Sequence, residues 1–143
     1  MKATQAKSKD YYLLVDIWRK SVRQTHDFLK AEDFERIASE LPTYFEYVEV
    51  QIWREQEKTL GFSGILNGKI EMLFLDPAFI GKGYGKQILD ALIKEYNCRF
   101  VDVNEQNTSA RAFYQAAGFN EFARSETDDA GRPYPILHLK KEQ

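Results

Sequence analysis

Gly81, Gly83 and Gly85 alternate with Ile80, Lys82, Tyr84 and Lys86, directly after an apolar run closed by Asp76-Pro77 and directly before an apolar stripe of helical spacing. Glycine at every second position leaves main-chain N–H groups uncovered, so a large anion can approach them. The helix that follows points the positive end of its dipole at the same spot. That is phosphate-binding chemistry, and spacing sorts its kinds. A P-loop needs G-x-x-x-x-G-K-[ST]; the nearest approach, Gly64 to Gly68-Lys69, is one residue short and runs into Ile70. A dinucleotide fingerprint, G-x-G-x-x-G/A, would need a small residue after the loop where Lys86 stands, and a βαβ setting that a preceding hairpin breaks.

Other side chains able to do chemistry are few. Glu71 interrupts an otherwise apolar strand, and Asp102 alternates with Val101 and Val103 on another. A buried carboxylate has a raised pKa and suits proton abstraction, although either residue could equally form an ion pair with a Lys or Arg. Tyr114 follows Asn107 by seven residues, two helical turns or ~10 Å along the axis, so both fall on one side. Their plainer roles are core packing for Phe113-Tyr114 and a helix cap for Asn107. His26 ends the first helical segment, where a histidine can meet substrate or simply satisfy a helix C-terminus. Cys98 stands alone at a strand start, with no histidine near it in sequence to activate it as an acyl carrier.

The elements that position these residues follow from periodicity. Leu14, Ile17, Trp18 and Val22 recur at helical spacing, predicting a helix over 9–24. A second is expected over 31–41, stopped by Pro42. Residues 48–54 alternate as a strand. Asn67-Gly68 between apolar runs 61–66 and 69–75 predicts a two-residue hairpin turn, because both positions accept positive φ. The second run is apolar on both faces (Ile70, Met72 and Phe74 on one, Leu73 and Leu75 on the other), which places it centrally in a sheet. Ile88, Leu89, Leu92, Ile93 and Tyr96 form the helix after the glycine loop. A short strand over 100–103, a helix over 109–117 closed by Gly118, and a final hairpin of 122–127 with 136–140 complete the chain. Arg54-Glu55-Gln56-Glu57-Lys58 reads as a solvated turn. Strand, helix, strand in the middle implies one parallel pair in an otherwise antiparallel sheet.

A central strand ending in Asp76-Pro77, then x-G-x-G-x-G opening a helix, resembles the acyl-CoA pyrophosphate loop of the GNAT superfamily of N-acetyltransferases. Val103-Asn104-Glu105-Gln106-Asn107, then Ala110, Phe113-Tyr114 and Gly118-Phe119, is similar to that superfamily's second signature; the matched stretch is 61–119. The resemblance implies an α+β fold: a mixed, mostly antiparallel sheet with one splayed parallel pair, flanked by about four helices, over a single domain at 1–143. It implies an acetyl-CoA-dependent N-acetyltransferase in which a primary amine attacks directly in a ternary complex. The N–H groups of Ile80, Gly81, Lys82, Gly83, Tyr84, Gly85 and Lys86 would hold the pyrophosphate. Leu73, Phe74 and Leu75 would carry a bulge and hydrogen-bond the acetyl and pantetheine portions, with Asn107 reaching the pantetheine arm. Tyr114 would protonate the departing thiolate. Glu71 is the preferred base, with Asp102, His26 or water as alternatives. Ile80 stands where the superfamily usually has Arg or Gln, so Lys82 or Lys86 would supply the missing charge.

At 143 residues the chain can bury about two-thirds of its unfolded surface. A formal net charge of -2 gives no basic footprint for nucleic acid. No apolar run approaches the roughly 20 residues that cross a bilayer, and a lone cysteine with two histidines makes a metal site improbable and fits a reducing cytoplasm. The expected partner is a small-molecule amine or a protein or peptide amine, with no nucleic acid, no membrane and no metal, and oligomeric state undetermined. The competing classes are a non-catalytic acyl-CoA-binding module and a nucleotide-binding domain.

Overall fold

The computed structural model describes residues 1–25 and 27–142. Seven strands form one sheet: β1 (Lys2–Gln5), β2 (Glu49–Glu55), β3 (Lys58–Leu66), β4 (Lys69–Leu75), β5 (Phe100–Asn104), β6 (Phe119–Ser125) and β7 (Ile136–Lys141), in the order β1-β2-β3-β4-β5-β7-β6. Helices α1 (Tyr11–Thr25) and α2 (Ala31–Phe45) bury Leu14, Ile17, Trp18, Val22, Leu41 and Phe45 against one face. Helices α3 (Tyr84–Tyr96) and α4 (Thr108–Ala116) bury Ile88, Leu89, Leu92 and Tyr114 against the other. The mixed sheet with one parallel pair and four helices is the architecture expected from the sequence.

The β3–β4 hairpin turns on Asn67 (φ 51) and Gly68 (φ 79), both left-handed as a two-residue turn requires. Gly61 is needed for a different reason: a Cβ there would lie 2.2 Å from the Phe74 carbonyl oxygen across the pair. The parallel contact of β4 with β5 is confined to Lys69↔Phe100 and Ile70↔Val101. Beyond that point the two strands part, and the edge of β4 facing β5 has no strand partner.

Three differences from the sequence-based expectation have physical causes. Helix α2 passes through Pro42 to Phe45. Losing one helical bond costs about 3 kcal/mol, but Phe45 is 2% exposed and packs 5.0 Å from Tyr11 and 5.8 Å from Phe62, a burial worth about 2–3 kcal/mol on its own, with Leu41 beside it. Strand β1 carries mostly exposed residues, so it had no apolar periodicity to reveal it; its pairing with β2 supplies the order.

The third difference concerns the bulge. Leu73, Phe74 and Leu75 pair regularly with Ser63, Phe62 and Gly61, and the extra residue of β4 is Glu71, since Gly64↔Met72 is followed by Ile65↔Ile70. One inserted residue reverses the facing of everything before it. Ile70 therefore packs in the α3/α4 layer with Leu73 and Leu75, while Met72 and Phe74 pack in the α1/α2 layer.

Candidate active site

The glycine loop is shaped as an anion cradle. Gly81 (φ 82) and Gly83 (φ 85) are left-handed, and a Cβ on either would meet nothing within 4 Å. Gly83 is also the N-cap of α3. Among the described residues, none of the N–H groups of Gly81, Lys82, Gly83, Tyr84, Gly85 or Lys86 donates to a main-chain carbonyl; the ladder starts with Gln87 N–H to Gly83. Six donors at a positive helix end fit a pyrophosphate. Ile80 is 42% exposed and brings no charge, while Lys82 and Lys86 are exposed beside it. Gly85 is the tightest of the three, with Leu75 and Phe113 side-chain atoms 3.3 and 3.5 Å from a Cβ there.

From this loop a cavity of about 280 Å³ runs along Leu73, Phe74 and Leu75, bounded by Ile80, Gly85, Phe113 and Ser21. A second, of about 180 Å³, fills the gap where β4 and β5 part, between Glu71, Met72 and Asp102. The two share Leu73, Phe74, Asn107, Ala110 and Tyr114, so they form one passage through the sheet. Asn107 is the N-cap of α4, accepting from Ala110 N–H at 3.1 Å, which is the capping role, and it also lines both cavities.

Tyr114 stands at the junction. It is 6% exposed, its ring held by Phe113 at 5.1 Å and Phe119 at 5.7 Å, yet its hydroxyl makes no hydrogen bond among the described residues. Burial, with a smaller effect of Cys98, pushes the phenol well above its usual pKa, so it stays protonated. Giving up that proton is correspondingly uphill and depends on proximity to the recipient.

On the α2 side of the passage lies a linked set of polar groups. Tyr44 Oη donates to Glu71 Oε1 at 2.9 Å, and burial followed by this bond raises the Tyr44 pKa far above normal. Lys69 Nζ is 2.7 Å from Asp102 Oδ2 and 3.6 Å from Glu71 Oε2. Burial opposes the Lys69 charge, but Asp102 and Glu71 outweigh it and raise its pKa. Asp102 Oδ1 lies 2.7 Å from His138 Nδ1, whose Nε2 is 2.7 Å from Ser125 Oγ. With Nδ1 protonated, His138 donates to the carboxylate and accepts from the serine hydroxyl. Glu71, Asp102, Lys69 and His138 face a shallow groove that also holds Phe100 and Phe122.

Glu71 and Asp102 thus come together, and both are ion-paired, the alternative left open by the sequence. Lys69, Tyr44, His138 and Ser125 were not legible as site residues: cross-strand register (Asp102↔His138) and the helix-to-bulge contact bring them in. His26 lies outside the described residues. Cys98 is fully buried, and burial pushes its thiol up to about 11, which removes it as a nucleophile. Among the described residues no group of His, Cys, Asp and Glu is arranged to hold a metal, and no helix is long and apolar enough to cross a membrane.

A family model described as an acetyltransferase (GNAT) domain matches residues 16–135. The chain is 38% identical over 133 residues to the peptidyl-lysine N-acetyltransferase YjaB of Salmonella typhimurium, with 88% of each chain covered. It is 36% identical over 129 residues to the Escherichia coli protein of the same name, covering 88% of this chain and 86% of that one. The solution structure of the apo form of YjaB from Escherichia coli has a TM-score of 0.86 at 32% identity, covering 97% of this chain and 95% of that chain. The fold alone is shared with yncA of Salmonella typhimurium, solved with acetyl-CoA, at a TM-score of 0.64 and 18% identity over 100% of this chain and 95% of that one.

Proposed function

The chain belongs to the GNAT family of acetyltransferases and is an acetyl-CoA-dependent N-acetyltransferase, and from there we propose that the amine it acetylates is a lysine side chain of a protein or peptide. The relatives sharing most of its length are peptidyl-lysine N-acetyltransferases. The observation that carries the reading is the passage through the sheet, which has anion donors at one end and two carboxylates, suited to an ammonium, at the other.

Acetyl-CoA supplies the thioester whose acyl group is transferred. The N–H groups of residues 81–86 hold its pyrophosphate, helped by Lys82 and Lys86 in place of the absent charge at Ile80. The open edge of β4 at Leu73, Phe74 and Leu75 offers main-chain groups to the pantetheine arm and thioester, and Asn107 flanks that arm while capping α4. Glu71, steadied by Tyr44, takes the proton of the acceptor ammonium, and Asp102 shares that duty across the gap. Tyr114 gives its proton to the departing sulfur. Attack is direct, since Cys98 is sealed in the core. Residues 1–143 act as one domain, because one sheet uses strands from both halves of the chain. A reducing cytoplasm is the proposed site of action, consistent with the lone free thiol.

The test is a competition. Purified protein is given acetyl-CoA with an Nα-blocked lysine peptide, a lysine-free peptide with a free N-terminus, and spermidine, and products are identified by mass spectrometry. Acetyl on the lysine peptide ahead of the other two is the expected result. Preference for the free N-terminus or the polyamine would overturn the acceptor assignment.

A further inference from the structure

Lys69 occupies the place that an acceptor ammonium needs. Its Nζ sits against Asp102 at 2.7 Å and Glu71 at 3.6 Å, and these two carboxylates line both the gap between β4 and β5 and the groove outside it. His138 and Tyr44 fix the carboxylates from either side. Among the described residues lining gap and groove, Lys69 is the only Lys or Arg. Its side chain is 33% exposed, so the contact is reachable and not sealed in the core. While Lys69 is charged, an incoming lysine meets a like charge within a few ångströms, at a carboxylate pair that already holds one cation, which weakens its binding several-fold or more at such range.

We propose that Lys69 is acetylated by the enzyme itself, and that this modification opens the acceptor site to cationic peptides. The inference rests on the lysine-acceptor reading above. In the step, Asp102 or Glu71 takes a proton from the Lys69 ammonium, and the neutral Nζ attacks the thioester carbonyl carbon. The N–C bond forms and the C–S bond breaks. As the amide forms, the nitrogen gives up its second proton to the other carboxylate and from there to solvent, while the sulfur leaves with the proton of Tyr114, which regains one from the first protonated carboxylate. The resulting amide carries no charge, so Glu71 and Asp102 regain their own for the next amine. The same carboxylates that hold Lys69 in its charged state are the ones placed to deprotonate it, which is why this lysine is singled out from the exposed ones.

The test uses the whole chain. After incubation with acetyl-CoA, peptide mapping by mass spectrometry follows acetylation of Lys69 against exposed lysines such as Lys58, alongside turnover of a lysine peptide in the same preparation. Lys69 is expected to label first, and more slowly once Asp102→Asn is introduced. Calorimetry without acetyl-CoA then compares peptide binding to Lys69→Gln, which imitates the amide, and Lys69→Arg, which keeps the charge. The Gln variant is expected to bind about tenfold more tightly. Lys69 left unmodified while the peptide is turned over, or labelled no faster than in the denatured chain, overturns the proposal and leaves the function standing. Equal peptide affinity of the Gln and Arg variants overturns the opening role. If neither Lys69 nor any lysine peptide is acetylated, the acceptor reading falls and this proposal with it.

Discussion

Replacing Tyr114 by Phe separates chemistry from packing, because the ring packs against its neighbours while the hydroxyl carries the proposed proton transfer. The ring contacts with Phe113 and Phe119 survive the substitution. The hydroxyl has no hydrogen bond among the described residues, so no internal bond is lost and no partner is stranded; the expected change in stability is within about 0.5 kcal/mol. For a chain of this size that corresponds to a Tm shift under roughly 3 °C. Loss of a proton donor to the departing thiolate costs about 10²- to 10⁴-fold in kcat, or roughly 2.7–5.5 kcal/mol of transition-state stabilisation. Thiol release measures kcat, calorimetry with acetyl-CoA measures affinity, and a thermal melt measures stability. The expected pattern is a collapsed kcat with affinity and Tm unchanged. A kcat within about threefold of the parent would remove Tyr114 from the reaction, and a Tm that falls with activity would show the hydroxyl to be structural.

Gly83→Ala forces a φ of 85 on a residue with a Cβ, costing about 1–2 kcal/mol, and puts a methyl group into the open cradle; calorimetry should show weakened acetyl-CoA binding with the acceptor KM unchanged, and unaltered affinity would move the pyrophosphate elsewhere. Gly61→Ala drives a Cβ to 2.2 Å from the Phe74 carbonyl oxygen, so the β3–β4 pair must shift; urea unfolding should show a loss of roughly 2–4 kcal/mol, and a loss under 1 would mean the strands give way easily. Cys98 is raised from 9.0 to about 11 in the folded chain, so the fold binds that proton more tightly than the unfolded chain does. The stabilisation is complete below pH ~9 and is lost as pH rises through about 11, a slope worth roughly 2–3 kcal/mol that Cys98→Ala should lack; matching slopes in the two proteins would contradict the burial.

What the sequence made legible was local. Asn67-Gly68 announces its own turn because both positions need left-handed φ, and the glycine alternation at 81–85 announces a cradle because side chains would fill it. Tyr114 could be placed on the Asn107 side of α4 from helical spacing alone. What stayed hidden depends on pairing between distant segments. No local property of Lys2–Gln5 says that it will join β2, and Pro42 is a stop signal until Phe45 has a core to enter. Nor does alternation along β4 reveal that Glu71 is an inserted residue; that emerges from Gly64 and Ile65 pairing with Met72 and Ile70.

That one insertion explains why the site lies where it does. The parallel contact ends at Ile70↔Val101, so the next residue on each strand, Glu71 and Asp102, stands at the point where the sheet divides. The bulge turns Met72 and Phe74 toward α1 and α2 while Ile70 and Leu73 stay with α3 and α4, so both helical layers remain packed although the strands separate. Two carboxylates facing each other across a fork repel, and a cation between them offsets that repulsion. Lys69, one residue before the bulge, does so at rest. Catalysis on an ammonium acceptor requires that place to be given up, either by displacement of Lys69 or by neutralising it. The pair of residues that terminates the parallel ladder is thus the pair to which the proposed acceptor chemistry is given, and the charge of Lys69 between them bears on both roles.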